Sequence, residues 1–345
     1  MQAIGLIHVG LGGWGSQWAL EVLPAVPGVE IAAYVDVDAG ARARAEAAGV
    51  PSARLFASLG EALAAVEAEG VVAPVRTAVH HAVASQALEA GRHVLLEKPF
   101  AATVLEAGNL VALAQRQGRL LAVSQNYRFF PVAAAAADIV RRGTYGAPIT
   151  VEVDFRRYAP EGYRYPEAYP LLVDMGIHHF DLMRFILGQE PVEVSCRTWN
   201  PPGSAYEGAP CAAAVVTFDG GATVTWRGNY LSRGPVTPWS GAWRIDLAEA
   251  SLAFAWRGNV GARLAGEYFT VTPLGGEPRD LTPPAGGLVD REGSAAAFVE
   301  AIRSGEARVP LATGSDNLRS LALCHAAVRS ADRGGAPVRI ADLTA

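Results

Sequence analysis

Short apolar runs alternate with longer amphipathic stretches through the first 125 residues, and this alternation restricts the fold more than any other feature. Ile4–Val9, Val29–Val35, Val71–Ala73, His93–Leu96 and Leu120–Ser124 read as strands. Helical patterns fall between them, over Trp14–Leu23, Ala39–Ala48, Ser58 to Glu67, His80–Ala90 and Thr103 to Gln117. Two of these open on capping boxes, "SLGE" at Ser58–Glu61 and the Thr103/Glu106 pair. Strands separated by whole helices pair in parallel, and a parallel sheet must be covered on both faces.

The rhythm changes after Asn126. Pro131–Arg142 reads as an alanine-rich helix, Ile149–Tyr158 as a longer strand and Val173–Leu187 as a second helix. Strand patterns follow at Val192–Trp199, Ala212–Phe218 and Ala222–Asn229, with the hairpin signal Asp219-Gly220 between the last two. Helices near Ser294–Arg303 and Asp316–Ala331 close the chain. The expected organisation is an α/β domain over residues 1–125 and an α+β domain with an open, mostly antiparallel sheet over residues 126–345.

With 345 residues and a net charge of −5, the chain has no basic run for nucleic acid or an anionic membrane. No apolar stretch is of bilayer length, and "AIGLIHVGLGG" carries no secretory signature, so a cytoplasmic protein is expected. Cys196, Cys211 and Cys324 are widely spaced and odd in number, which suits a reducing compartment rather than disulfides or zinc.

The first strand runs into "GLGGWG", which places Gly10, Gly12 and Gly15 in G-x-G-x-x-G spacing with Gly13 and Trp14 between them. Such a loop turns tightly, lets backbone amides approach a pyrophosphate and aims a helix N-terminus at it. The second strand ends in "VDVD", and Asp36 stands where an acid accepts ribose hydroxyls. Asp36 and Asp38 would repel a 2′-phosphate, so NAD is favoured over NADP as cofactor.

The "VLLEKPF" stretch holds Lys98, the one lysine beside 28 arginines. A lysine can be tuned to exchange a proton where arginine cannot. Further on, "DMGIHHFDLMRF" places Asp174, His178 and Asp181 on one face of an otherwise apolar helix. Three polar groups there form a satisfied core network, a catalytic face in which Asp174 orients His178, or a metal site. The last ranks lowest, because a nearby cationic lysine opposes a divalent ion. His179 points away and is expected to be a packed histidine.

Together the glycine loop, "EKP" and D-x-G-x-H-x-x-D resemble the Gfo/Idh/MocA oxidoreductase family over nearly the whole chain. The resemblance implies a Rossmann domain, then a sheet domain that forms homodimers or homotetramers, and NAD(P)-dependent redox chemistry on sugars, cyclitols and related polyols. By position it makes Lys98 the active-site lysine, with Glu97 and Pro99 placing it. Asp174 becomes the acid, His178 the proton-transfer histidine and Asp181 a substrate-binding acid, while His80 is the histidine near the nicotinamide. Two features depart from the family: Thr-Pro is missing just before His80, where Pro74 comes earlier, and "AYPLLVD" replaces a glycine-rich run.

In the expected chemistry Lys98, with a pKa brought from about 10.4 towards about 7–8, holds the developing oxyanion of a secondary alcohol while His178 removes the proton. Asn126, Arg128, Tyr163 and Arg164 are further candidate substrate contacts, and Trp199, Trp226, Trp239, Trp243 and Trp256 are expected in sheet core or interface. Two rivals share the scaffold: glycoside cleavage with recycled NAD, and a sugar-responsive, dinucleotide-binding regulator without catalysis.

Overall fold

A computed structural model describes residues 3–159, 168–256 and 266–344. Contacts divide the chain into two units, residues 1–126 with 290–318, and residues 127–289 with 319–345. The segment 290–318, which the sequence reading grouped with the second half, therefore packs with the first.

The first unit is built on a seven-stranded sheet. Its strands are β1 (Ile4–Val9), β2 (Val29–Val35), β3 (Leu55–Phe56), β4 (Gly70–Ala73), β5 (His93–Leu96), β6 (Leu121–Val123) and the late-arriving β15 (Ala312–Thr313). Their order is β15-β6-β5-β4-β1-β2-β3, parallel throughout except for the antiparallel edge strand β15. The chain reverses direction of travel between β1 and β4, which makes their carboxyl ends the switch point where open α/β sheets bind ligands. Helices α1 (Gly13–Gln17), α2 (Ala39–Ala47), α3 (Leu59–Ala65), α4 (His80–Glu89), α5 (Val104–Gln117) and α8 (Asp290–Ser304) accompany it. The capping boxes hold: Ser58 Oγ accepts the Glu61 amide, Thr103 Oγ1 accepts the Glu106 amide, and each glutamate reaches back to the backbone. Strands buried on both faces supply the core, with Leu6, Ile7, Val71, Val94 and Leu95 at zero exposure. Each such side chain contributes about 1.5–3 kcal/mol. The expected helix over Trp14–Leu23 is helical but irregular, since α1 passes into a π segment at Trp18–Val22 and a 3-10 turn at Leu23–Ala25. Pro24, which has no amide to donate, lies in that last turn.

The second unit contains helices α6 (Pro131–Arg141) and α7 (Ile177–Leu187) and most of α9 (Gly314–Asp332). Its sheet has nine strands: β7 (Pro148–Arg156), β8 (Pro191–Trp199), β9 (Cys211–Phe218), β10 (Thr223–Asn229), β11 (Ala242–Leu247), β12 (Ala250–Ala255), β13 (Tyr268–Pro273), β14 (Arg279–Asp280) and β16 (Val338–Arg339). The order is β14-β13-β12-β11-β7-β10-β9-β8-β16. One neighbouring pair, β7 with β10, is parallel, so the sheet is mixed. The Asp219-Gly220 signal does mark a hairpin joining β9 to β10. Trp226 and Trp243 are buried in this sheet, whereas Trp199 is half exposed.

Candidate functional site

Three loops of the first unit leave the carboxyl ends of parallel strands of one sheet: the glycine loop after β1, the acid after β2 and the lysine loop after β5. Gly10 has φ +105°, which a side chain would strain, and a Cβ there would also lie 2.9 Å from Val75 Cγ1. A Cβ on Gly15 would stand 2.2 Å from the Gly10 carbonyl oxygen, so only glycine lets the helix start this close to the strand. Gly12 and Gly13 differ, because a Cβ on either meets nothing within 4 Å. The loop is thus tight where it packs and open where a ligand's phosphates would rest.

Asp36 organises this loop from the side. Its carboxylate accepts the Leu11 amide at 2.6 Å and the Asp38 amide at 2.8 Å. Asp38 caps α2 through the Gly40 amide at 2.9 Å, and Arg42 donates to the Asp36 backbone carbonyl at 2.5 Å. His8 lies beneath, fully buried, with Nε2 2.7 Å from the Gly10 carbonyl. Burial lowers its pKa to about 4, so it is neutral and donates that hydrogen bond. Open loop, strand-end acid and, among the described residues, absence of a basic side chain on the acid's carboxylate all fit a dinucleotide. The amides of residues 10–15 would hold its pyrophosphate and Asp36 its ribose.

Glu97 is buried at the end of β5. Its Oε1 accepts the indole N–H of Trp14 at 3.0 Å and of Trp18 at 2.8 Å, and its Oε2 accepts the Lys98 amide at 3.1 Å. The glycine loop and the lysine loop are therefore tied through one carboxylate. His80 closes the other side of the lysine loop, with Nδ1 3.2 Å from the Phe100 carbonyl and Nε2 3.0 Å from that of Val75. It is fully buried and burial lowers its pKa. The expected nicotinamide histidine thus sits among backbone carbonyls, joining the turn after β4 to the turn after Lys98.

In the second unit the polar residues of α7 have separate partners. His178 is 5% exposed and its ring stacks on Tyr127, with centroids 4.2 Å apart and planes 14° from parallel. Asp174 lies in the π segment Leu172–Gly176, and its Oδ2 accepts the Tyr230 hydroxyl at 2.8 Å. Such wide turns recur at functional positions. Asp181 and Arg128, both expected to meet substrate, meet each other. Arg128 donates from Nε and Nη2 to the two Asp181 oxygens, each at 2.6 Å, and Ser320 adds a bond of 2.7 Å. Both side chains are almost wholly buried. Beside them Arg184 forks onto Glu190 at 2.8 and 2.9 Å. His179 is a packed histidine as expected: Trp226 donates to its Nδ1 at 3.1 Å, so Nε2 carries the proton and donates to the Trp239 carbonyl at 2.9 Å. Burial lowers its pKa to about 4.

Asn126 donates its amide to Asp290, whose φ of +55° is the one positive value for a non-glycine among the described residues. Tyr163 and Arg164 lie outside the described residues. Among the described residues no group of three His, Cys, Asp or Glu could hold a metal ion. Tyr127, Tyr230, Trp18 and Asp290 escaped the sequence reading. Only Tyr127 had a signal, since it stands between Asn126 and Arg128.

Residues 4–125 match the model of the oxidoreductase family with an NAD-binding Rossmann fold, and residues 133–252 match that of the GFO/IDH/MocA C-terminal domain. A D-apiose dehydrogenase of Paraburkholderia graminis is 28% identical over 326 residues, covering 90% of this chain and 83% of that protein. A 1,5-anhydro-D-fructose reductase of Ensifer adhaerens is 28% identical over 284 residues, covering 78% and 79%. An Agrobacterium radiobacter oxidoreductase, solved in complex with NAD+, L-tartaric acid and magnesium, superposes with a TM-score of 0.81 at 22% identity over 99% of each chain. At that identity the structure speaks for the fold. Two models of one family, matched in order along the two halves of the chain, place this protein in the Gfo/Idh/MocA family of NAD(P)-dependent oxidoreductases.

Proposed function

We propose that the protein oxidises a secondary alcohol of a sugar, cyclitol or related polyol, or reduces the matching ketone, with NAD rather than NADP. The observation that carries this reading is the seat of Lys98, the one lysine of the chain, directly after a buried carboxylate bonded to the glycine loop. The names of the dehydrogenase and the reductase above support a carbohydrate substrate and both directions of reaction. NAD, when bound, supplies the hydride acceptor.

The chain's own residues supply the rest. Lys98 donates a hydrogen bond to the substrate oxygen and stabilises the negative charge that grows there. His178 accepts the hydroxyl proton, with its ring plane fixed by Tyr127. Asp174, anchored by the Tyr230 hydroxyl, favours the imidazolium that results. Asp36 selects NAD by presenting a carboxylate where a 2′-phosphate would need a cation. The sheet of the second unit forms the subunit contact: a groove of about 480 Å³ lined by Asp154, Arg197, Val215 and Arg227 runs across one face, and Val215 is 45% exposed. Three buried cysteines outside any disulfide support action in the reducing cytoplasm.

The deciding experiment supplies purified protein with NAD or NADP and a panel of inositols, aldoses, uronic acids and glycosides, and follows NADH formation. Substrate-dependent NADH, reduced about 10²–10⁴-fold in Lys98→Met, is the expected result. Full turnover in Lys98→Met, or silence across the panel from protein shown to bind NAD, refutes the reading.

A further inference from the structure

Trp14 and Trp18 are a turn apart, and both point their indole N–H at Oε1 of Glu97, at 3.0 and 2.8 Å. Trp18 is fully buried, whereas Trp14, in the middle of the glycine loop, is 51% exposed. A half-exposed tryptophan on such a loop needs a reason to stay in one rotamer, and two are visible. Its edge is bonded to Glu97, and its face carries the Arg291 guanidinium 4.3 Å from the ring centroid. Arg291 is in turn held by Gln17 at 3.2 Å.

For Glu97 the consequence is electrostatic as well as steric. A carboxylate this buried is stable as an anion only when its oxygens receive donors. Two indoles on Oε1 draw charge to that side and fix the plane of the group, and the remaining oxygen takes the peptide N–H of Lys98. The backbone of the lysine and the carboxylate next to it in sequence thus depend on two side chains in or beside the glycine loop.

We propose that Trp14 and Trp18 are positioning residues for Lys98 that act through Glu97, so that occupancy of the glycine loop is linked to the lysine's affinity for its proton. In turnover this matters only if the dehydrogenase reading holds, but the linkage itself is a property of the first unit.

The composition provides the test. Protein grown on lysine labelled with ¹³C at Cε gives one lysine signal, and its shift against pH titrates Lys98 without any substrate. The titration is run on wild type, Glu97→Gln, Trp18→Phe and Trp14→Phe, with and without NAD. Neutralising Glu97 removes the negative charge of the residue next to the lysine and lowers the midpoint by about one pH unit. Removing an indole donor returns charge to the carboxylate and raises it by about half a unit. NAD moves the midpoint in wild type and moves it less in Trp14→Phe. Packing alone would lower thermal stability and leave the midpoint in place, so one midpoint shared by all four proteins overturns the proposal. Should Trp18→Phe fail to fold, Trp14→Phe, at a half-exposed position, decides alone. NADH assays on the same proteins keep the two readings apart: the expected midpoint shifts without wild-type turnover refute the dehydrogenase and support the linkage, whereas turnover with unmoved midpoints does the reverse.

Discussion

Asp181→Ala separates a structural acid from a substrate-binding one. The Asp181 carboxylate is 1% exposed and accepts three short bonds, two from Arg128 and one from Ser320, with Arg184 Nη1 4.0 Å away. Arg184 keeps Glu190 when Asp181 is removed, but Arg128 loses its bidentate partner while 4% exposed. Removing one partner of a buried ion pair costs about 3–5 kcal/mol. At 2–4 °C per kcal/mol for a domain of 150–250 residues, the second unit's transition should fall by roughly 6–20 °C. Ser320→Ala removes one neutral donor and should cost about 1 kcal/mol. Replacing the pair together, Arg128→Met with Asp181→Leu, should recover most of the loss, since apolar side chains of similar volume need no counter-charge. Calorimetry gives the transitions, and KM for the identified substrate is measured beside them. If Asp181→Ala unfolds within about 1 kcal/mol of wild type while KM rises tenfold, the acid binds substrate and the reasoning is wrong.

Three further outcomes test the cofactor loop and the buried histidines. Gly12→Ala places a Cβ in open space, so it should leave the melting temperature unchanged and weaken NAD binding about tenfold or more by calorimetric titration, whereas Gly15→Ala, 2.2 Å from a carbonyl, should lower both. Asp36→Ser should lower the NAD over NADP ratio of kcat/KM by at least about tenfold, because the carboxylate that repels a 2′-phosphate is gone; an unchanged ratio places discrimination elsewhere. His179 is held neutral with a pKa of about 4 against an ordinary 6.5, so the unfolded chain takes up its proton first as pH falls. The stability due to neutral burial is complete above about pH 6.5 and lost progressively down to about pH 4, up to roughly 3 kcal/mol, and His179→Gln should flatten the urea-midpoint slope across that window.

Much of the first unit is legible in the sequence because its rules are local. The strand at His93–Leu96 and the helix from Val104 to Gln117 have the expected bounds, since caps and breakers mark their ends. The second unit is read less completely. Strands β11 to β14 escape for separate reasons: "AWRIDL" does alternate, with Trp243, Ile245 and Leu247 buried, but is only six residues long and pairs with the distant β7, while "ASLAFA" is alanine-rich. The parallel pairing of β10 with β7 is equally invisible, as a strand's pattern records its faces and not its neighbours. At the site, residue types were legible and their partners were not. The 100° spacing set Asp174, His178 and Asp181 on one α-helical face, but Asp174 lies in the π segment before α7, and only tertiary structure shows that Asp181 pairs with Arg128, Asp174 with Tyr230, and that His178 lies on Tyr127.

Those partners also explain the composition. The arginines that can be followed do work that needs a flat, permanently charged fork: Arg128 clasps Asp181 with two nitrogens, Arg184 clasps Glu190 in the same way, and Arg291 lies flat on Trp14. None of these positions asks for a proton to leave. The loop after β5 asks for something else, since Glu97 already has its donors from two indoles and an amide and needs no guanidinium. An ammonium is more compact than a guanidinium and can give up its proton, which a guanidinium cannot do. Lys98→Arg should therefore keep the fold and the charge and still lose nearly all the turnover lost in Lys98→Met. Retained turnover in Lys98→Arg would mean that charge alone suffices at this position, and the survival of one lysine among 28 arginines would carry no chemical message.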